Sequence, residues 1–235
     1  MALRGAEPCR AAMEFTWYKL GKAQFVKVGD GHPVVIFPGL GADGNSVSTL
    51  REYCRSMGYN AFDWGQGFNI GPQGDFDAWI HHLKSKIVTL MAGYSQPATL
   101  IGWSFGGLYA RELAKLMAPR IRQVITMGTP FNARADITHM SAHFNMVTGR
   151  TTAIVPEIYQ RLRTPPPLRT TSIYSRSDGV VDWQTCLHDK QTSLVHDIEV
   201  DGSHMGMGWN RHVLEAVGDR LGQPSGPWRR YERHH

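Results

Sequence analysis

The fold is decided by one stretch, Ala98-Thr99-Leu100-Ile101-Gly102-Trp103-Ser104-Phe105-Gly106-Gly107. It opens with an apolar run of strand length, and a helical pattern follows over 106–117, ending near Pro119. Gly-x-Ser-x-Gly lies between them. As a five-residue pattern it is weak, because a glycine-rich chain meets it by chance. Its placement between strand and helix gives it meaning: a serine at a sharp strand-to-helix turn carries its hydroxyl clear of the sheet. Side chains at Gly102 and Gly106 would collide with the neighbouring strand and helix, and Gly107 adds a small residue where the helix packs down. The helix also turns its positive end toward the turn. Ser104 is therefore the candidate nucleophile.

Working outward, short apolar runs alternate with helical patterns, the signature of a mostly parallel sheet covered by helices. Strands are expected at 34–37, 60–64, 98–103, 123–127, 171–175 and 198–200, with one or two edge strands between Phe15 and Val28. Helices are expected at 46–57, ended by Gly58, at 106–117, and from Asp75, which can cap a run whose apolar residues Phe76 to Tyr94 share one face. Val213, Leu214, Val217 and Leu221 line a last helix. The stretch 131–170 has no strand signal and is too long for a simple connection. It reads as a small cap with a short helix at 156–162. The domain reading is a core of 14–130 and 171–223, a cap at 131–170 and a basic tail at 224–235.

A nucleophilic serine needs a base. His188, His196, His204 and His212 follow it late enough in the chain. His204 stands just past the last strand, in Asp201-Gly202-Ser203-His204-Met205-Gly206, at a strand's carboxyl end where such groups gather. His196 precedes that strand, His212 lies within the last helix and His188 on a connection. An acid is expected beyond the preceding strand, where Asp178 and Asp182 both stand. Asp178 is preferred, being nearer the strand end and followed by Gly179. The oxyanion donors expected are the backbone N–H groups of Phe105 and Leu40, the latter in the loop Phe37-Pro38-Gly39-Leu40-Gly41. Trp103, Phe131, Phe144 and Met205 are the candidate substrate contacts, with Met146, Met207 and Trp209 as further apolar candidates.

The anchors FPGLG, GWSFGG, MGTPF, YSRSDGVVDW and DGSHMGMGWN occur in an order that resembles the α/β-hydrolase superfamily, particularly its lipase- and esterase-like members. The resemblance spans about 33–221. It implies an eight-stranded sheet, a triad of Ser104, Asp178 and His204, an oxyanion hole at Leu40 and Phe105, and ester hydrolysis through an acyl-enzyme without a cofactor. The first family strands are poorly marked, and Pro38-Gly39 stands where many members have His-Gly. The second departure is tolerable because the hole uses backbone. An acyltransferase on the same triad and a non-catalytic binding protein of this fold are the alternatives. Asp-nucleophile relatives are disfavoured by Ser104 itself.

Composition bounds the rest. The 235 residues are 42% hydrophobic and 19% charged, ordinary for one globular domain. No apolar run approaches the roughly 18–20 residues that a membrane span needs. The first 15 residues lack the apolar core of a secretory signal. They show no structural pattern before Met13, a candidate second start. Cys9, Cys54 and Cys186 have no ligand spacing, which argues against a metal site or disulfide scaffold and for a cytoplasmic protein. The net charge of +5 owes part to Arg229, Arg230 and Arg233, read as a solvated end and not as a nucleic-acid surface. The expected partner is a small or lipid-like ester.

Overall fold

The computed structural model describes residues 2–21, 28–132, 156–224 and 229–232. Its elements are α1 (Ala2–Leu20), β1 (Pro33–Phe37), α2 (Ser48–Ser56), β2 (Asn60–Asp63), α3 (Phe76–Leu90), β3 (Ala98–Trp103) and α4 (Phe105–Leu116). After these come β4 (Ile121–Met127), α5 (Pro156–Arg163), β5 (Arg169–Tyr174), β6 (Val195–Glu199) and α6 (Arg211–Gly222). The six strands form one all-parallel sheet in the order β2-β1-β3-β4-β5-β6.

Parallel strands covered on both faces must be apolar on both, and all five residues of β1 are buried. The strand period of two divides the core. Val35, Phe37, Leu100 and Val124 face α3 and α4, while Val34, Ile36, Ile101, Ile125 and Ile173 face α2 and α6. Helix starts follow local chemistry: the Asp75 carboxylate accepts from Ala78 N–H at 2.8 Å, and Asn210 caps α6 through His212 and Val213 N–H. Gly58, at φ +97°, ends α2.

From β1 the chain steps to one neighbour, β2, and then back across to the other, β3. The order thus reverses between β1 and β3, and the carboxyl ends of those strands lead into Pro38-Gly39 and Ser104. A crevice at such a reversal is where open α/β sheets bind ligands.

Several expectations are corrected here. The sheet has six strands among the described residues, not eight. The segment expected to begin an edge strand at Phe15 continues α1 to Leu20, and residues 22–27 lie outside the described residues. Residues 2–12, which carry no apolar pattern, are nonetheless helical, and the stripe that α1 turns inward is largely polar. Glu7, Ala11, Glu14 and Tyr18 recur at helical spacing and are its more buried positions. Of the stretch 131–170, residues 133–155 lie outside the described residues, and with them Phe144 and Met146. Its end is the helix α5. The tail folds back where described, with Arg229 N–H donating to Gln223 Oε1 at 2.9 Å. Among the described residues no helix is long and apolar enough to cross a membrane.

Candidate active site

Ser104 follows β3 directly and serves as the residue before α4, with φ +53° and ψ −126°. It is the one non-glycine residue among those described with a positive φ. An L-residue is held there only where its surroundings over-determine it. They do so here. Ser104 N–H donates to Met127 O at 2.8 Å, tying the turn to the end of β4. A Cβ at Gly102 would stand 2.3 Å from Gly107 Cα, one at Gly106 2.4 Å from Phe37 O, and one at Gly107 2.0 Å from Thr129 Oγ1. The three glycines let strand, turn and helix close on one another at distances no side chain allows.

Asp178 and His204 meet across two loops. Asp178 follows β5 and His204 follows β6, and His204 Nδ1 lies 2.7 Å from Asp178 Oδ2. Both side chains are buried. The other carboxylate oxygen, Oδ1, accepts from Val180 N–H at 2.8 Å and Val181 N–H at 2.7 Å, which fixes the carboxylate before the imidazole arrives. Asp182 does other work: it caps the short 3-10 turn Trp183–Cys186 by accepting from Gln184 N–H at 3.0 Å.

The imidazole of His204 lies over Gly128, where a Cβ would come within 3.0 Å of Nδ1. Gly128 follows Met127, the residue that anchors Ser104 N–H, so histidine and serine share the rim at the ends of β3 and β4. Trp103 completes the contact. Its indole N–H donates to His204 O at 3.1 Å, and the rings lie 5.9 Å apart. Among the described residues no hydrogen bond is made at His204 Nε2 or joins it to Ser104 Oγ. Such bonds commonly tighten only when substrate is bound.

Gly39 lies against the serine, a Cβ there being 3.3 Å from Ser104 Cβ. The loop it belongs to is held by Asn69, a buried residue absent from the sequence reading. Asn69 Nδ2 donates to Pro38 O at 2.9 Å, its backbone N–H donates to Ala42 O at 2.8 Å, and its carbonyl accepts from Gly41 N–H at 2.8 Å. Its only sequence signal was a place in a glycine-rich loop. Leu40 packs against the core, and Phe105 is buried.

The candidate substrate contacts separate. Trp103 is half-buried beside His204, and Met205 is exposed. Phe131 is buried in the core, with the Arg111 guanidinium 3.8 Å above its ring and His188 at 4.5 Å. Met207 is fully buried behind His204. A cavity of about 870 Å³ opens between α1 and α6, lined by Met13, Trp17, Tyr53 and Leu214; neither Ser104 nor His204 lines it.

A strained serine at a strand-to-helix turn, beside a buried aspartate–histidine pair on the carboxyl rim of a parallel sheet, defines the α/β-hydrolase class. The chain belongs to the alpha/beta hydrolase family, whose model matches residues 34–234. It is similar to the polyketide synthase ThaQ of Burkholderia thailandensis, 32% identical over 119 residues that span 48% of this chain and 5% of that protein. It is also similar to the pimeloyl-[acyl-carrier protein] methyl ester esterase of Legionella pneumophila (strain Corby), 27% identical over 111 residues, 47% of this chain and 44% of that one. The chain thus spans less than half the length of the curated relatives it matches. Among solved structures it resembles a monoacylglycerol lipase of Paleococcus ferrophilus, with a TM-score of 0.60 at 13% identity over 85% of this chain and 97% of that one. A structure from work on the metagenome-derived lipolytic enzymes LipS and LipT gives 0.59 at 13% identity, covering 84% and 95%. At such identities the structural likeness speaks for the fold.

Proposed function

We propose that this protein is a serine hydrolase that cleaves carboxylic esters through an acyl-enzyme. The observation that carries the reading is the buried 2.7 Å contact between Asp178 and His204, on the same rim as the positive-φ Ser104. In this reading Ser104 Oγ attacks the ester carbonyl carbon as His204 Nε2 takes its proton. Asp178 holds the imidazole in the tautomer with hydrogen on Nδ1 and stabilises the imidazolium that forms. Negative charge on the carbonyl oxygen is met by the backbone N–H groups of Leu40 and Phe105, each worth roughly 3 kcal/mol in the transition state. His204 then protonates the leaving alkoxide, which departs as an alcohol. Water, deprotonated by the same nitrogen, attacks the acyl carbonyl carbon; the bond from that carbon to Ser104 Oγ breaks, His204 returns the proton to Oγ, and the carboxylic acid leaves.

The esterase named among the relatives supports an ester substrate, and the exposed surface of Trp103 and Met205 offers the acyl group an apolar contact. Incubation with a fluorophosphonate probe tests the nucleophile: the protein should be labelled, and Ser104→Ala should not. A panel of esters of increasing acyl length, run with and without a competing alcohol, tests the reaction. Free acid as the main product supports hydrolysis, transfer to the alcohol in preference to water would make the protein an acyltransferase, and an unlabelled, inert protein would mark a binding module.

A further inference from the structure

Four residues flank the acid and the base in sequence: Ser177 and Gly179 around Asp178, Ser203 and Met205 around His204. All four are held by side chains of one element, α1. The Glu7 carboxylate is buried and has both oxygens engaged: Oε1 accepts from Gly179 N–H at 2.7 Å and Oε2 from Met205 N–H at 3.0 Å. One turn on, Arg10 donates to the carbonyl of Ser177 and, at 2.8 Å, to its Oγ. A second turn on, Glu14 Oε1 accepts from Ser203 N–H at 2.7 Å and Oε2 from Ser203 Oγ at 3.0 Å. Trp209 Nε1 donates to Ala11 O at 2.9 Å and seals the end of the contact. Gly206 is the space that admits Glu14, since a Cβ there would stand 1.9 Å from Glu14 Oε2.

We propose that α1 is a brace for the reacting groups and that Glu7 is a positioning residue that sets the separation of Asp178 and His204. This rests on the serine-hydrolase reading. The two loops leave different strands and touch upstream of the reacting groups, where Ser175 Oγ and Ser177 Oγ donate to Gly202 O at 2.8 and 3.2 Å; beyond Asp178 and His204, Gly179 and Met205 are joined through Glu7. One rigid carboxylate that accepts from the residue after the acid and from the residue after the base ties both main chains to a single group. Such bonds to an ionised acceptor are strong, and a buried carboxylate deprived of them is costly, so helix and loops hold each other. The spacing 7, 10, 14 places the three side chains on one face of the helix.

The test uses the full chain with Glu7→Gln and Glu7→Ala, followed by fluorophosphonate labelling, ester kinetics and backbone hydrogen exchange. Glu7→Gln keeps the shape and one acceptor oxygen; Glu7→Ala removes both bonds. In Glu7→Ala, kcat and the labelling rate should fall about 10²-fold while KM moves little, as expected when a reacting group is displaced and binding is not. Exchange should quicken together around 177–181 and 203–207, and Glu7→Gln should fall between parent and alanine variant. Should the alanine variant not fold, the ordering of parent above glutamine variant carries the test. A labelled parent whose folded Glu7 variants react at the parental rate would overturn the brace alone. A parent that is neither labelled nor active on any ester would overturn the hydrolase reading and the brace with it.

Discussion

Two histidine–aspartate pairs lie buried among the described residues, and they teach opposite lessons. His204 meets Asp178 at 2.7 Å, and His188 meets Asp197 at 2.6 Å. Side-chain exposure hardly separates them: 6% and 2% in the first pair, 2% and 6% in the second. What differs is the second ring nitrogen. His188 Nε2 faces Arg111 Nη1 at 2.8 Å. A guanidinium can only donate, so this nitrogen accepts, and hydrogen sits on Nδ1 toward Asp197. Its lone pair is spent. The same Arg111 holds the carbonyls of Leu162 and Arg163 and lies over Phe131, so the pair belongs to a buried network that fastens α5 to α4. His204 has its Nε2 without a hydrogen bond among the described residues, on the rim beside Ser104. A carboxylate makes a histidine well oriented; what faces its far nitrogen decides whether it can act as a base.

Matched substitutions in the two pairs should break the symmetry in a set order. His204→Ala should lower ester turnover by roughly 10⁶. Asp178→Asn should lower turnover by about 10⁴, because an amide favours the wrong tautomer. Asp197→Asn, by contrast, should leave turnover of the folded protein within a fewfold. If Asp182→Asn proved the more damaging loop variant in the same assay, the acid would have to be reassigned. His188→Ala should act on stability instead, costing about 3 kcal/mol in urea unfolding as Arg111 and Asp197 lose a buried partner. A His188→Ala protein that folds normally but has lost all turnover would place that pair in the chemistry.

The smallest effect concerns pH. Burial, joined by the charge of Arg111, holds the His188 imidazole below its usual 6.5, and burial lowers His32 and His196 likewise. An unfolded chain regains the usual value, so below about pH 6.5 it binds protons that the native state refuses. Stability should therefore be full above that pH and fall progressively on acidification. Urea midpoints at pH 7.5 and 5.5 measure it, and a midpoint that rose on acidification would mean the native protein takes up those protons.

Most of the sheet was legible because its strands are short apolar runs with the turn chemistry in plain view. The turn at Ser104 was the clearest, since glycines at 102, 106 and 107 announce how tightly the chain must close. Asp178 and His204 could be chosen from several carboxylates and histidines because strand order fixes which loops share a rim. The helix α1 was hidden for a physical reason: its inward face binds through carboxylates and an arginine, and a search for apolar periodicity passes over such a stripe. Asn69 was equally silent, because it acts through backbone geometry that no spacing rule encodes. Phe131 was placed by residue type near the substrate, whereas the buried guanidinium of Arg111 draws the ring into the core.

The left-handed backbone at Ser104 has a consequence for how this fold would respond to selection for heat resistance. Strain of this kind costs on the order of 1–3 kcal/mol, more than glycine loses in chain entropy, so Ser104→Gly should relax the turn and raise the melting temperature. On the serine-hydrolase reading, the most robust version of this protein would then be an inert one, and any screen rewarding survival alone would drift toward giving up its hydroxyl.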